Sequence, residues 1–172
     1  MTPRELDEYR ALRDTIRERG TARVWIFQAG LAAWGALVIA TAALAALPVA
    51  TLLPLLLLAA TFEAVFSLHV GVERVGRYIQ VFFEEESGWE HAAMAFGRPV
   101  RGTRVDPLFA TIFLIATILN FVPVLIAEPV ATEVVVIGAA HLFLIARILL
   151  ARRAAGRQRA TDLERFQKLK TG

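Results

Sequence analysis

Four stretches of this chain stay apolar for roughly the 20 residues that a helix needs to cross the hydrocarbon of a bilayer. They are residues 24–47, 49–72, 107–126 and 132–150, with charged residues concentrated before the first, between the second and third, and after the fourth. The first run opens with Trp25, a residue type enriched at headgroup level, and ends before Pro48. The second accommodates Pro54 in its first turn. Tyr78, Ile79, Val81, Phe82 and Phe83 keep one side apolar past Val72, so its helix is expected to extend to about residue 83. The third opens on Asp106-Pro107, an N-cap acid followed by proline at the first helical position. Only a few residues separate the first run from the second, and Glu128-Pro129 makes an equally short turn between the third and fourth. The pattern therefore predicts an all-α, polytopic integral membrane protein, one domain with four transmembrane helices arranged as two antiparallel hairpins.

The flanks carry helical patterns of their own. Thr2-Pro3-Arg4-Glu5 offers an N-cap threonine, a proline at N1 and a glutamate at N3, and Leu6, Tyr9, Leu12 and Ile16 recur on one side. This predicts an amphipathic N-terminal helix over residues 2–19, stopping at Gly20, with its stripe on the membrane interface or on a partner. Charge from Arg4 onward is unlike a secretory signal. In the central loop, residues 84–106, Trp89, Met94 and Phe96 suggest a short interfacial helix ended by Gly97-Arg98-Pro99. The tail, residues 151–172, repeats the capping pattern in Thr161-Asp162-Leu163-Glu164, with Leu163, Phe166 and Leu169 on one side, and predicts a short C-terminal helix.

Charge orients the runs. Six cations precede the first run, five lie between the second and third counting Arg74 and Arg77, and eight lie at or after the end of the fourth counting Arg147. The two short turns hold none, only Glu128 and Glu133 nearby. By the positive-inside rule both termini and the central loop face the cytoplasm. Seventeen of the nineteen cations are arginine and alanine is abundant, a usage typical of GC-rich genomes that carries no mechanism. The expected location is a bacterial inner membrane.

Composition narrows the chemistry. At 56% hydrophobic the chain is too apolar for an ordinary soluble domain, which runs at about 45–50% with glycine included. No cysteine is present, which removes disulfides, thiolate zinc sites and iron–sulfur ligation, and only His69, His91 and His141 are available as imidazole ligands. Phosphate-loop, dinucleotide, zincin and nucleophile-elbow signatures are absent. The excess of cations is explained by topology, so no nucleic-acid partner is expected, and an enzyme is disfavoured without being excluded.

Polar residues inside the runs are the candidates for function. Counting 1.5 Å per residue from about position 50 places Glu63 roughly 20 Å below the outer face of a ~30 Å layer, and the same count from residue 132 places His141 at about 14 Å and Arg147 at about 22 Å. Either could partner Glu63, as an ion site or as a fastening between helices. Asn120, beside Pro123, either meets carbonyls freed by the kink, bridges helices or lines a pore. His69, Glu73 and Arg77 share one face of the second helix at intervals of four, with Arg74 turned toward the Glu63 side. His69 and Glu73 are spaced to share a metal, though two ligands need a third from elsewhere; otherwise the arginines anchor at lipid phosphates. Glu84, Glu85, Glu86, Glu90 and His91 form the densest acidic patch. They suit a cytoplasmic pore mouth or a divalent cation, or else cap the next helix and pair with Arg98, Arg101 and Arg104. Ala29 and Ala33, and Ala32, Ala36 and Ala40, recur at four-residue spacing with Gly30 and Gly35 nearby, a pattern that lets helices approach within a monomer or between monomers.

Four spans leave little room for a solute cavity in one chain. The leading expectation is a homo-oligomeric ion channel or transport protein with the polar face of the second span near the pathway. The alternatives are a non-catalytic scaffold or accessory subunit of a larger membrane complex, whose basic cytoplasmic face binds anionic lipid or a partner, and a membrane-embedded metal-dependent enzyme. No cofactor is expected beyond a divalent cation in the last case.

Overall fold

A computed structural model of the chain describes residues 1–44, 47–85, 88–96 and 108–172. All regular structure among the described residues is helical: α1 (Pro3–Leu44), a 3-10 turn (Pro48–Thr51), α2 (Leu52–Phe82), α3 (Trp89–Phe96), α4 (Ala110–Ile126) and α5 (Ala131–Thr171). Three helices are long and apolar enough to cross a membrane: α1, α2 with the turn before it, and α5. The third apolar run forms the shorter helix α4, whose 17 residues reach about 26 Å at 1.5 Å per residue.

Two expected breaks do not occur. The N-terminal helix runs through Gly20 into the first apolar run as one 42-residue helix. A glycine inside a helix costs only about 1 kcal/mol relative to alanine, and no proline or cap follows Gly20 to end the ladder. The start is as the spacing predicts: Glu5 N–H donates to Thr2 Oγ1 at 3.3 Å, and Thr2 N–H donates to Glu5 Oε2 at 2.6 Å. That backbone donor holds the Glu5 carboxyl below its usual range. Likewise the tail is not a separate short helix but the second half of α5. Thr161 lies inside the ladder, its hydroxyl donating to the Arg157 carbonyl at 3.0 Å, and Glu164 pairs with Lys168 instead of capping. The alanine- and arginine-rich segment before it propagates the helix.

The start of α4 also differs from expectation. Its N-cap is Phe109, held at φ 51° with no side-chain cap, while Asp106 and Pro107 lie outside the described residues. Glu128, after the last turn of α4, is at φ 48°, the left-handed position where a helix end usually carries glycine.

By packing the chain divides into two units. An apolar unit comprises Val24–Phe66 and Asp106–Arg152; a charged unit comprises Met1–Arg23, Ser67–Val105 and Arg153–Gly172. In the apolar unit, Leu55, Leu58, Phe62 and Val65 recur at helical spacing on α2 and pack with Phe27 of α1, Phe113 and Ala116 of α4, and Leu144 and Ile148 of α5. Phe113 makes T-shaped ring contacts with Phe62 at 5.2 Å and with Phe27 at 5.7 Å between centroids, and Phe27 stacks on Phe109 at 4.1 Å. Gly30 of α1 faces Thr61 of α2 so closely that a Cβ there would overlap the threonine side chain. The alanine stripe points elsewhere: Ala29, Ala32, Ala33 and Ala36 are exposed.

In the charged unit, the apolar stripes of the two ends turn onto α2. Tyr9 lies 6.0 Å from Phe83, and Phe166 packs edge-on against Tyr78 and Phe82 at 5.5 and 6.3 Å. Tyr78 donates its hydroxyl to Glu8 at 3.0 Å; partial burial, followed by this bond, raises its pKa. Tyr9 and Phe166 of the two stripes thus have partners in their own chain, while Leu6 and Leu169 are exposed.

Gly30→Ala is expected to lower stability by about 1–3 kcal/mol, as overpacking of a close contact does. Thr61→Ala in the same chain should recover part of that loss. Thermal unfolding in detergent of the single and double variants measures both, and an unchanged Gly30→Ala midpoint would contradict the close approach.

Candidate functional site

In the apolar unit, Glu63 and Arg147 meet. Arg147 Nε and Nη2 approach the two carboxylate oxygens of Glu63, each at 2.8 Å, a bidentate pair. The guanidinium also lies 4.5 Å from the ring centroid of Phe66 and 5.8 Å from that of Phe62. Of the two partners that helix counting brings to the depth of Glu63, the structure pairs it with Arg147. The pair is not enclosed: the side chains remain 49% and 28% exposed. Leu53, Leu56, Ala60 and Glu63 form one open stripe on α2, at three- and four-residue spacing.

His141 belongs to a different network, centred on Asn120. The Asn120 amide donates to the Thr51 carbonyl at 3.0 Å and to His141 Nε2 at 3.1 Å, while its oxygen accepts from Trp34 Nε1 at 3.1 Å. His141 Nδ1 donates to the Ile137 carbonyl at 2.8 Å, which leaves Nε2 as the acceptor Asn120 requires. Asn120 and His141 are buried. One amide therefore ties α1, the turn before α2, α4 and α5, and of the roles weighed for Asn120 the geometry is that of a bridge. Trp34 and the Thr51 carbonyl were not singled out from the sequence, although an indole N–H in the middle of an apolar run needs a partner.

In the charged unit, Glu90 is the centre. Arg13 Nη1 donates to Glu90 Oε1 at 2.6 Å and Nη2 to Glu84 Oε1 at 3.3 Å. Arg77 reaches Glu90 Oε2 at 3.5 Å and donates to Gln80 at 2.8 Å. Burial pulls the Arg77 guanidinium below its ordinary pKa, against the opposing charges of Glu73 and Glu90. Glu84 Oε2 accepts the Glu90 backbone N–H at 2.7 Å, so Glu84 caps α3. Gly76 makes room for this arrangement: a Cβ there would come within 2.8 Å of Glu90 Oε2. Arg13, which holds both carboxylates, was not among the residues read from sequence; its signal was its place beside the Tyr9–Leu12–Ile16 stripe.

The rest of the acidic patch is mixed. Glu85 is exposed, and His91 Nδ1 stands 3.9 Å from Glu84 Oε2. Both line an open cavity of about 500 Å³ together with Gln80, Glu84, Gln167 and Lys170. Glu86, Arg98, Arg101 and Arg104 lie outside the described residues.

His69 and Glu73 are turned to different arginines. Arg23 Nη1 lies 3.2 Å from His69 Nδ1, and Arg159 Nε lies 2.6 Å from Glu73 Oε2. Arg74, the next residue, pairs with Asp162 at 3.1 Å. Among the described residues no three histidine, aspartate or glutamate side chains converge as a metal ion would require. Comparison with family models, with curated proteins and with solved structures finds no match for this chain.

Asn120→Ala removes three bonds at once and leaves the Trp34 and His141 groups without their partner, so a loss of about 1–2 kcal/mol is expected, the upper end of buried polar contacts between membrane helices. Glu90→Ala strands the buried Arg77 and should cost about 3 kcal/mol, whereas Arg4→Ala on the exposed first turn should be neutral. Thermal unfolding of purified protein checks all three, and a Glu90→Ala midpoint equal to wild type would contradict the central place given to that carboxylate.

Proposed function

We propose that this is a four-span integral membrane protein of a bacterial inner membrane, with both termini and the central loop cytoplasmic, that assembles as a homo-oligomer and passes small ions along the face carrying Glu63 and Arg147. The observation that carries this reading is the half-exposed bidentate pair at the surface of the apolar unit. An ionised group at the centre of a spanning helix costs roughly 2.5–3.5 kcal/mol on insertion scales. Pairing offsets part of that cost, but 49% of the Glu63 side chain still faces outward. Next to lipid that exposure is unfavourable. Against a second copy, or along a water-filled seam between copies, the remaining lone pairs are satisfied and the carboxylate is available to a passing cation. The exposed alanines of α1 offer a further surface on which copies can approach closely. Segregation of all nineteen cations from the two short turns supports the orientation.

A second reading is favoured by the Asn120 network. Polar groups that fully satisfy one another fasten a bundle and leave no donor for a solute, as suits a scaffold or accessory subunit of a larger membrane complex. Ion flux into liposomes holding purified wild-type protein decides between them. The transport reading expects flux that falls several-fold in Glu63→Gln, with an oligomer by mass in nanodiscs. Absence of flux from wild type, or flux indifferent to Glu63→Gln, overturns it, and stoichiometric co-purification with a membrane complex would then establish the second.

A further inference from the structure

Three arginines of the charged unit near the apolar runs have a carboxylate: Arg159 has Glu73, Arg74 has Asp162 and Arg77 has Glu90. Arg19 and Arg23 do not. Neither forms an ion pair with a described carboxylate. They lie one turn apart on α1, where like charges repel each other by a few tenths of a kcal/mol. Yet both lean on the same stretch of α2. Arg23 Nη1 rests on His69 Nδ1 while its buried Nε has no partner. The Arg19 guanidinium lies over Gly71, where a Cβ would come within 2.8 Å of Nη1. The bare α2 backbone at Gly71 is thus flanked by two guanidiniums with donors to spare. One carboxylate nearby, Glu73, is already held by Arg159, and its charge is shared with Arg23 and Arg77. A local excess of positive charge remains.

The position along the chain says which anion is at hand. Arg23 immediately precedes the apolar run that begins at Val24, and Gly71 stands where the apolar run of α2 ends at Val72. A helix leaves the hydrocarbon at the level of the lipid phosphates.

We propose that Arg19, seated against the bare backbone of Gly71, and Arg23 bind the phosphate of an anionic lipid headgroup. The two planar guanidiniums supply parallel donors to phosphate oxygens, and His69 fixes the orientation of Arg23 from beneath. The proposal rests on the membrane crossing of α1 and α2, but not on self-association or ion passage.

The test is lipid retention by full-length protein in mild detergent, read by native mass spectrometry with phosphatidylglycerol or phosphatidylcholine added. A chain that remains dispersed without detergent would defeat the membrane reading before any lipid is added. Wild type should retain phosphatidylglycerol in preference to phosphatidylcholine. Arg19→Gln and Arg23→Gln should each weaken that retention about five-fold, the effect of one basic residue near an anionic surface. Arg10→Gln, whose side chain pairs with Asp7, should not. Gly71→Leu, whose side chain displaces the Arg19 guanidinium while keeping both charges, should weaken it as well. If Arg23→Gln fails to fold, the exposed Arg19 and Gly71→Leu carry the test. Equal retention of the two lipids, or wild-type retention by folded Arg19→Gln and Gly71→Leu, overturns the proposal. So does displacement of the lipid by excess inorganic phosphate that itself binds, which would make this a site for free phosphate.

Discussion

A charged or hydrogen-bonding group inside an apolar run has no water to turn to and must find its partner in protein. The apolar unit is arranged around that constraint. From α4, Asn120 gathers an indole, a backbone carbonyl and an imidazole from three other parts of the chain, so the places where α1, the turn before α2, α4 and α5 meet are set by one side chain. Glu63 and Arg147 satisfy each other across α2 and α5 in the same way. Apolar packing around Phe62 and Phe113 supplies contact area, but aliphatic and aromatic surfaces slide past each other at small cost, whereas a bidentate pair or a three-bond amide admits one register.

The charged unit meets the opposite problem: water is close, and charges gain little by pairing in it. Its pairs gain from burial. Glu90 and Arg77 are nearly enclosed, and Arg13 reaches both Glu84 and Glu90 from α1, so Glu84 and the start of α3 are held by guanidinium donors and not by an apolar core alone. The same logic explains the role of Gly76, whose missing side chain is the space the Glu90 carboxylate occupies.

The long-range pattern was readable from the sequence because apolar runs and capping boxes are local signals. The extension of α2 past Val72 and the Thr2–Glu5 cap follow from such signals directly. The continuity of α1 through Gly20 and of α5 through Thr161 was not legible, since a glycine or a capping pattern marks a possible end and only the neighbours decide whether the ladder stops there. Partner choice was legible only in part. Helix counting brings both His141 and Arg147 to the level of Glu63, and which of them turns toward it depends on where Asn120 claims the imidazole. Arg13 and Trp34 escaped notice because a lone arginine on an amphipathic helix and a lone tryptophan in an apolar run look ordinary until their partners are in place.

The account depends most on the charged and the apolar segments lying on opposite terms with a bilayer, with every cation on one side. The absence of cysteine makes a direct test clean. Single cysteines introduced as Arg10→Cys, Glu128→Cys and Arg165→Cys can be exposed, one variant at a time, to a maleimide that does not cross membranes. The account predicts that intact cells label at position 128 alone, and that positions 10 and 165 label only once the membrane is opened. Labelling of position 10 or 165 in intact cells, with position 128 protected, would contradict it.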